Sequence, residues 1–259
     1  MTEQRVISWF SRGAASAVAT KLVLSERRYQ PVTPVFCETG SEHPDNERFA
    51  QDCEKWFGVP ITRLKSTEYQ DTWDVWEKRK YIAGVKGAPC TTALKVIPRL
   101  GFQRVDDIHI FGYTADKADV TRAAKLRETF FELTIETPLI QRGITKAGCF
   151  SIIEGAGIKR PITYDMGLPN ANCLPCPKAT SPAYWALIRE KFPADFNRMA
   201  ELSRRLGARL ARVKNERVFI DEIPANHPTT GAIVPSCDFL CLAAEAELAD
   251  EADNRGTKP

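Results

Sequence analysis

The sequence predicts an α/β fold: a doubly wound, mostly parallel sheet followed by a cysteine-bearing helical C-terminal region. Two observations carry this. Short apolar runs alternate with helical-period segments through the first half, the order of repeated βαβ units. The second half reads instead as helices opened by prolines, entered through a Pro-rich turn around Cys173-Leu174-Pro175-Cys176. The expected divisions are 1–160 for the sheet domain, 161–244 for the cysteine-containing region packed on it, and 245–259 for a disordered tail, acidic and rich in small residues.

Arg5 to Phe10 is the first strand, and Ser11-Arg12-Gly13-Ala14-Ala15-Ser16 leads from it into a helix carried by Val18, Leu22 and Leu24. Small side chains after a strand let backbone N–H groups approach an anion, and the helix N-terminus adds partial positive charge. A tight turn without a ligand would read the same way. The loop has neither the Lys-Ser/Thr of a Walker loop nor the three glycines of a dinucleotide fingerprint. Pro34 to Cys37 is the second strand, ending in Glu38-Thr39-Gly40, with a helix from Asp45 to Phe57 and a third strand at 61–64. Polar residues at strand C-termini are where ligands bind in parallel sheets. Cys37 and Cys53 read as core thiols, and Trp73 and Trp76 as packing aromatics.

After Cys90, Ala93 to Arg104 reads as a helix that Pro98 can break. Asp107 to Phe111 is the fourth strand, closed by Gly112-Tyr113-Thr114-Ala115-Asp116 and followed by a helix bearing Arg122. Leu133 to Leu139 is a fifth extended segment, and Thr145 caps a helix from Lys146 to about Gly155. Ser181-Pro182 opens a helix to about Phe192, Pro193 opens another to about Arg212, and 217–220 is a short strand. The arginines at 198, 204, 205, 209 and 212 read as a solvated face, with an anion or RNA surface as the alternative.

The balance of 36 Lys and Arg against 33 Asp and Glu does not by itself require a nucleic-acid partner, and 43% hydrophobic residues suffice for a core. No window approaches ~18 uninterrupted apolar residues and no basic–apolar leader is visible, so a cytoplasmic protein without a membrane partner is expected. Eight cysteines in such a chain read as metal, catalytic or core thiols rather than disulfides. Cys173 and Cys176 can converge on one metal or one disulfide; Cys90, Cys237 and Cys241 lie in similar polar, turn-like surroundings.

In this order the motifs resemble the phosphoadenosine-phosphosulfate reductase-like branch of the PP-loop, or adenine-nucleotide α-hydrolase, superfamily. Residues 11–16 stand where that family has Ser-Gly-Gly-x-Asp-Ser, and Glu38-Thr39-Gly40 is similar to its Asp-Thr-Gly. Gly112 to Asp116 with Arg122 resembles its Gly-x-Arg-x-x-Glu-Ser region. Pro138-Leu139 before Thr145-Lys146, and Tyr164-Asp165-x-Gly167 before Cys173-x-x-Cys176, follow its later motifs. The resemblance spans about 5–190. It implies a PP-loop sheet binding ATP or another adenine nucleotide through Ser11, Arg12, Gly13, Ala14, Ser16, Glu38, Thr39, Gly40, Gly112, Tyr113 and Arg122. It also implies a four-iron four-sulfur cluster, with zinc as the alternative, on Cys90, Cys173 and Cys176, its fourth ligand coming from Cys237, Cys241 or a non-protein group; the expected split gives Cys241 to the metal and a nucleophilic thiol to Cys237, with both in the metal site as the alternative.

The departures matter as much: Cys90 stands alone before Thr91 where cluster-bearing members have a Cys-Cys pair, and Pro235-Ser236-Cys237-Asp238-Phe239-Leu240-Cys241 stands in place of their Glu-Cys-Gly-x-His tail. Ala15 stands where ATP-cleaving members carry an acidic residue, and Arg12 replaces a glycine. Three functions follow as expectations. One is sulfonucleotide reduction, with a thiol reductant and a sulfate pocket drawn from Lys95, Arg99 and Arg122. Another is ATP-dependent thiolation of a nucleobase in a nucleic-acid substrate, with a sulfur donor. The third is a catalytically degenerate nucleotide-binding module. The oligomeric state, homodimer included, is open.

Overall fold

A computed structural model describes residues 4–26, 31–84, 87–234, 237, 244–245 and 248. Five parallel strands form its central sheet in the order β3-β2-β1-β4-β5: β1 Val6–Trp9, β2 Val32–Cys37, β3 Thr62–Leu64, β4 Ile108–Ile110 and β5 Thr134–Glu136. Helices flank it, consistent with a doubly wound fold. All four β1 side chains are buried, as expected where a parallel strand is covered on both faces. Pro34 is tolerated within β2 because pairing with β3 begins one residue later, at Val35. Ile7 pairs with His109 and Ser8 with Ile110, so the β1–β4 junction, where strand order reverses, lies at the centre of the sheet.

The chain divides into two compact units, neither continuous in sequence. Unit 1 takes 1–37, 44–64 and 99–162, and unit 2 takes 38–43, 65–98 and 163–259. The C-terminal region expected from 161 is therefore joined in unit 2 by two earlier segments. In unit 1 the sheet is accompanied by α1 Ala14–Glu26, which packs on α2 Asp45–Phe57, and by the later α6 Lys117–Thr129, α7 Pro138–Gln141 and α8 Lys146–Gly155. Arg48 fixes α2 by pairing with Asp45 and Asp52 while donating to the carbonyls of Lys159 and Arg160. Arg127 of α6 donates to the Ile135 carbonyl on the edge strand β5. Cys37 and Cys53 are buried, as the sequence indicated.

Unit 2 is built on α3 Thr72–Arg79, α4 Pro89–Thr91, α10 Pro182–Lys191 and α11 Pro193–Arg205, with the short α9 Ile162–Asp165 at its entry. Trp73, Trp76, Leu94, Tyr184, Trp185 and Met199 form its core. The helix expected from Ala93 begins at Pro89 instead and Pro98 does not break it. A π turn at Thr92–Val96, closed by Ile97 N–H to the Thr92 carbonyl, precedes α5 Ile97–Phe102 and absorbs the proline's missing donor.

The expected helix from 193 to 212 also ends early. Gly207, at φ 68°, stops it, and the chain returns as a hairpin, β6 Ala211–Val213 with β7 Glu216–Val218, through Lys214 and Asn215 at φ 45° and 70°. The helix's arginines are engaged within the unit: Arg204 with Asp221 and Glu222, Arg205 with Glu77, and Arg198 over the Trp73 ring at 4.0 Å. Among the described residues, no helix is long and apolar enough to cross a membrane.

Candidate functional site

The loop from β1 to α1 is organised by Ser16. Its Oγ accepts from the Ser11 N–H at 3.0 Å and from Ser11 Oγ at 3.1 Å, and donates to the Gly13 carbonyl at 2.9 Å. These bonds hold the loop as a closed turn over the N-terminus of α1. The loop following β4 meets it directly: a Cβ added to Gly112 would stand 2.6 Å from both N and Cα of Ser16. Gly112 is therefore required by the packing of one loop on the helix start, a reason distinct from the ligand approach or simple turn that the sequence suggested.

Arg12, standing where the resemblance calls for glycine, has φ 57°, the left-handed region that favours glycine. Its side chain is buried across the Phe36 ring, 4.0 Å to the centroid, and its Nη2 donates to Glu47 Oε2 at 2.7 Å. Arg63 grips the same carboxylate at both oxygens, and with Arg12 beside it holds Glu47 below the ordinary carboxylate range.

At the end of β4, Thr114 bonds Asp116 and Asp119, and Asp116 accepts the Lys146 N–H at the start of α8. Arg122 pairs with Asp119 at 2.8 Å and lies over the Tyr113 ring. Burial lowers the Lys146 ammonium, against the pull of both aspartates. Unit 1 thus brings together Ser11, Arg12, Gly13, Ala14, Ser16, Gly112, Tyr113 and Arg122 of the expected nucleotide residues. Arg99, once a candidate for a sulfate pocket, is fully buried in this unit beside His109.

Unit 2 collects the thiols. Cys90 enters from α4, Cys173 and Cys176 from the Pro-rich turn, and Cys237 from further along the chain; none of the four is in a disulfide. Burial pushes the Cys90 thiol up to about 12 and Cys176 up to about 11, and raises Cys173 well above the usual range; the Cys237 charge reinforces all three shifts. One thiol therefore lies within electrostatic reach of the other three. Cys237 Sγ is 3.4 Å from Thr91 Oγ1 and 3.9 Å from Lys178 Nζ, while buried Lys95, on the π turn, donates to the Cys237 carbonyl at 3.2 Å. The Tyr184 hydroxyl accepts the Cys176 N–H at 2.6 Å.

The segment 38–43 is laid against the same turn. Glu42 bridges Cys173 in antiparallel fashion, Leu174 N–H donates to the Ser41 carbonyl at 2.8 Å, and Thr39 Oγ1 is 3.0 Å from Cys173 Sγ. Glu38 is paired with Lys65 at 2.9 Å. Glu38, Thr39 and Gly40 thus belong to the thiol-bearing unit. Cys241 lies outside the described residues, as does almost all of the expected tail.

Among the described residues no three His, Cys, Asp or Glu side chains are grouped as the ligands of a single metal ion. Thiolates are the usual iron–sulfur ligands, and buried thiols gain most from a cation that stabilises their deprotonated form. The Trp76 Nε1–H, buried without a hydrogen-bond acceptor, is near enough to Cys90 to favour its thiolate, so a ligating sulfur there would have a waiting donor.

Sequence reasoning missed Trp76, Lys178, Thr91 and Tyr184 as members of this site, and Glu47 as the partner of Arg12. Thr91 and Lys178 adjoin cysteines in sequence and were legible as neighbours; Trp76 and Tyr184 carried only the signature of core aromatics. The chain matches no protein-family model, and no curated protein matches it.

Proposed function

We propose that the chain is an adenine-nucleotide-binding enzyme of sulfur chemistry, with a PP-loop type sheet and a cysteine-bearing C-terminal region, acting as a sulfonucleotide reductase. The observation that carries this reading is the gathering of four thiols, none in a disulfide, from three distant chain segments, with two lysines against one of them. Disulfide chemistry alone needs two thiols, and a packed core needs none.

The nucleotide phosphates bind at the Ser11–Ser16 loop, where α1 presents its N-terminal amides and partial positive charge. Ser16 closes that loop through its own hydrogen bonds, so little ordering entropy is lost on binding. Cys90, Cys173 and Cys176 would hold an iron–sulfur cluster, which supplies a local positive field and redox-capable iron when bound. Cys237, half-buried and within reach of Lys178, is the attacking thiol. Its sulfur bonds to the sulfonate sulfur as the sulfur–oxygen bond to the nucleotide phosphate breaks, and the electron pair leaves with the nucleoside phosphate. An external thiol then attacks Cys237, sulfite departs, and a mixed disulfide remains for a second thiol to reduce. Ala15, lacking a carboxylate, is compatible with a reaction that leaves the phosphoanhydride of ATP alone.

Anaerobic purification with absorption spectroscopy and metal analysis, followed by assay of sulfite release from adenosine phosphosulfate and its 3'-phosphorylated form, tests the reading. The expected protein is brown, binds adenine nucleotides and releases sulfite only with a thiol reductant. A colourless protein holding stoichiometric zinc, or pyrophosphate release from ATP, would overturn it.

A further inference from the structure

We infer that Arg12 is an exchangeable oxyanion arm of the β1–α1 loop: it rests on Glu47 and transfers to a phosphate or sulfate group bound at the start of α1. The proposal rests on the reading of that loop as a phosphate site, and adds a residue that the family pattern does not contain, since glycine stands there in the resemblance.

Three features support it. First, the contacts of Glu47 are unequal. Arg63 holds both of its oxygens, Nη1 to Oε2 at 2.8 Å and Nη2 to Oε1 at 2.7 Å, and Gln51 approaches Oε1 at 3.5 Å. Arg12 adds one further bond, Nη2 to Oε2 at 2.7 Å. If Arg12 leaves, the carboxylate keeps a two-point partner, so the loss is that of one bond in a partly exposed pair. Secondly, the Arg12 guanidinium is underused: of its five N–H donors, one serves Glu47, and the buried Nε has no acceptor at all. The Arg12 side chain is only 9% exposed, so water does not readily supply the missing acceptor. Thirdly, the residue is held at φ 57° immediately before a 13-residue helix whose N-terminus attracts the same class of ligand. A side chain kept in a conformation that glycine would adopt more cheaply, with a donor left unsatisfied, is better explained by a ligand than by folding alone.

The ligand class is an oxyanion with at least two free oxygens, able to take an arginine in two-point fashion. It could belong to a nucleotide or be free inorganic sulfate or phosphate, so both are used as probes. Calorimetric titration of inorganic sulfate at low ionic strength, into wild type, Arg12→Gly and Glu47→Gln, reads the arm alone. Arg12→Gly is expected to weaken sulfate binding by about tenfold or more while leaving the urea midpoint unchanged or raised, because glycine relieves the backbone. Glu47→Gln is expected to tighten sulfate binding severalfold by freeing Arg12.

Equal sulfate affinity in wild type and Arg12→Gly, or weaker binding in Glu47→Gln, would overturn the assignment; the second arm decides if the glycine variant does not fold. Parallel titrations with adenosine phosphosulfate separate this proposal from the reading beneath it. Nucleotide binding that is indifferent to Arg12 sinks the arm and leaves the nucleotide site standing. Sulfate binding that depends on Arg12 without any nucleotide affinity keeps the arm and sinks the nucleotide site.

Discussion

His109 makes the fold acid-sensitive in a way that can be calculated. It is fully buried on β4, stacked on Trp9 of β1, and its Nδ1 accepts the Trp9 indole N–H at 3.0 Å. The indole can only donate, so the imidazole carries its proton on Nε2, which has no partner. Protonating Nδ1 would set N–H against N–H in a dry site. Burial pulls the imidazole down to about 4 from an ordinary 6.5, with Arg99 and Arg5 lowering it further and Asp107 opposing them. The folded pKa is thus depressed, and the unfolded chain binds more protons between these values. The associated stability is fully present above pH 6.5 and is lost as pH falls toward 4. The loss amounts to about 3 kcal/mol in full, with about 2 kcal/mol gone between pH 7 and pH 5.

The perturbation is His109→Asn, whose side-chain oxygen can still accept from Trp9 but does not titrate. Urea unfolding at pH 7 and pH 5 measures the difference. The variant starts lower at pH 7 because it is smaller, and its decline to pH 5 should be shallower than wild type's by about 2 kcal/mol. Parallel declines in the two proteins would refute the assignment of the acid sensitivity to His109.

Gly112→Ala forces a Cβ to within 2.6 Å of the Ser16 backbone; a loss of about 1–3 kcal/mol is expected from such overpacking, read as a lower urea midpoint with weaker nucleotide binding. An unshifted midpoint would mean that the two loops do not pack as described. Tyr184→Phe removes the hydroxyl that accepts the buried Cys176 N–H and should cost about 1–3 kcal/mol; equal stability would show that the amide finds water instead. In metal-free native protein, iodoacetamide should label Cys237 ahead of Cys53 and Cys90, because burial raises both of the latter thiols, Cys90 to about 12. Peptide mass spectrometry showing Cys90 labelled as fast as Cys237 would contradict this.

The parallel sheet was legible because each buried strand is a short apolar run ending in small or polar residues, and Thr145 capped its helix as the pattern required. The boundaries that failed share a physical cause, which is that backbone geometry was decided by something local that carries little sequence signal. The Lys214-Asn215 turn uses left-handed backbone at a residue that does not advertise it. The π turn before Pro98 solves a hydrogen-bonding problem that could equally have ended the helix. For the candidate site, type and spacing singled out Cys173 and Cys176, and unit 2 brings Cys90 and Cys237 within electrostatic reach of Cys176. Their surroundings carried no such signal: Trp76 and Tyr184 look like any core aromatic until their polar atoms are located, and the pairing of Arg12 with Glu47 joins residues 35 apart. The division into units was hidden for the same reason, since segments 38–43 and 65–98 resemble ordinary connections within a βαβ series.

That interleaving has a consequence during synthesis. Unit 1 is complete in sequence once Ile162 has been made, whereas unit 2 still lacks 163–259. At roughly 5–20 residues per second, translation of that last stretch occupies on the order of 5–20 s. Throughout this interval Trp73, Trp76 and Leu94 have been made but await Tyr184, Trp185 and Met199, with which they later share a core. The nascent chain therefore carries an uncovered aromatic surface in its middle while its sheet can already form. A ribosome stalled near residue 162 would expose a sticky intermediate rather than an inert fragment, and the cysteine Cys90 would wait there, reduced and alone, for its partners from the final third.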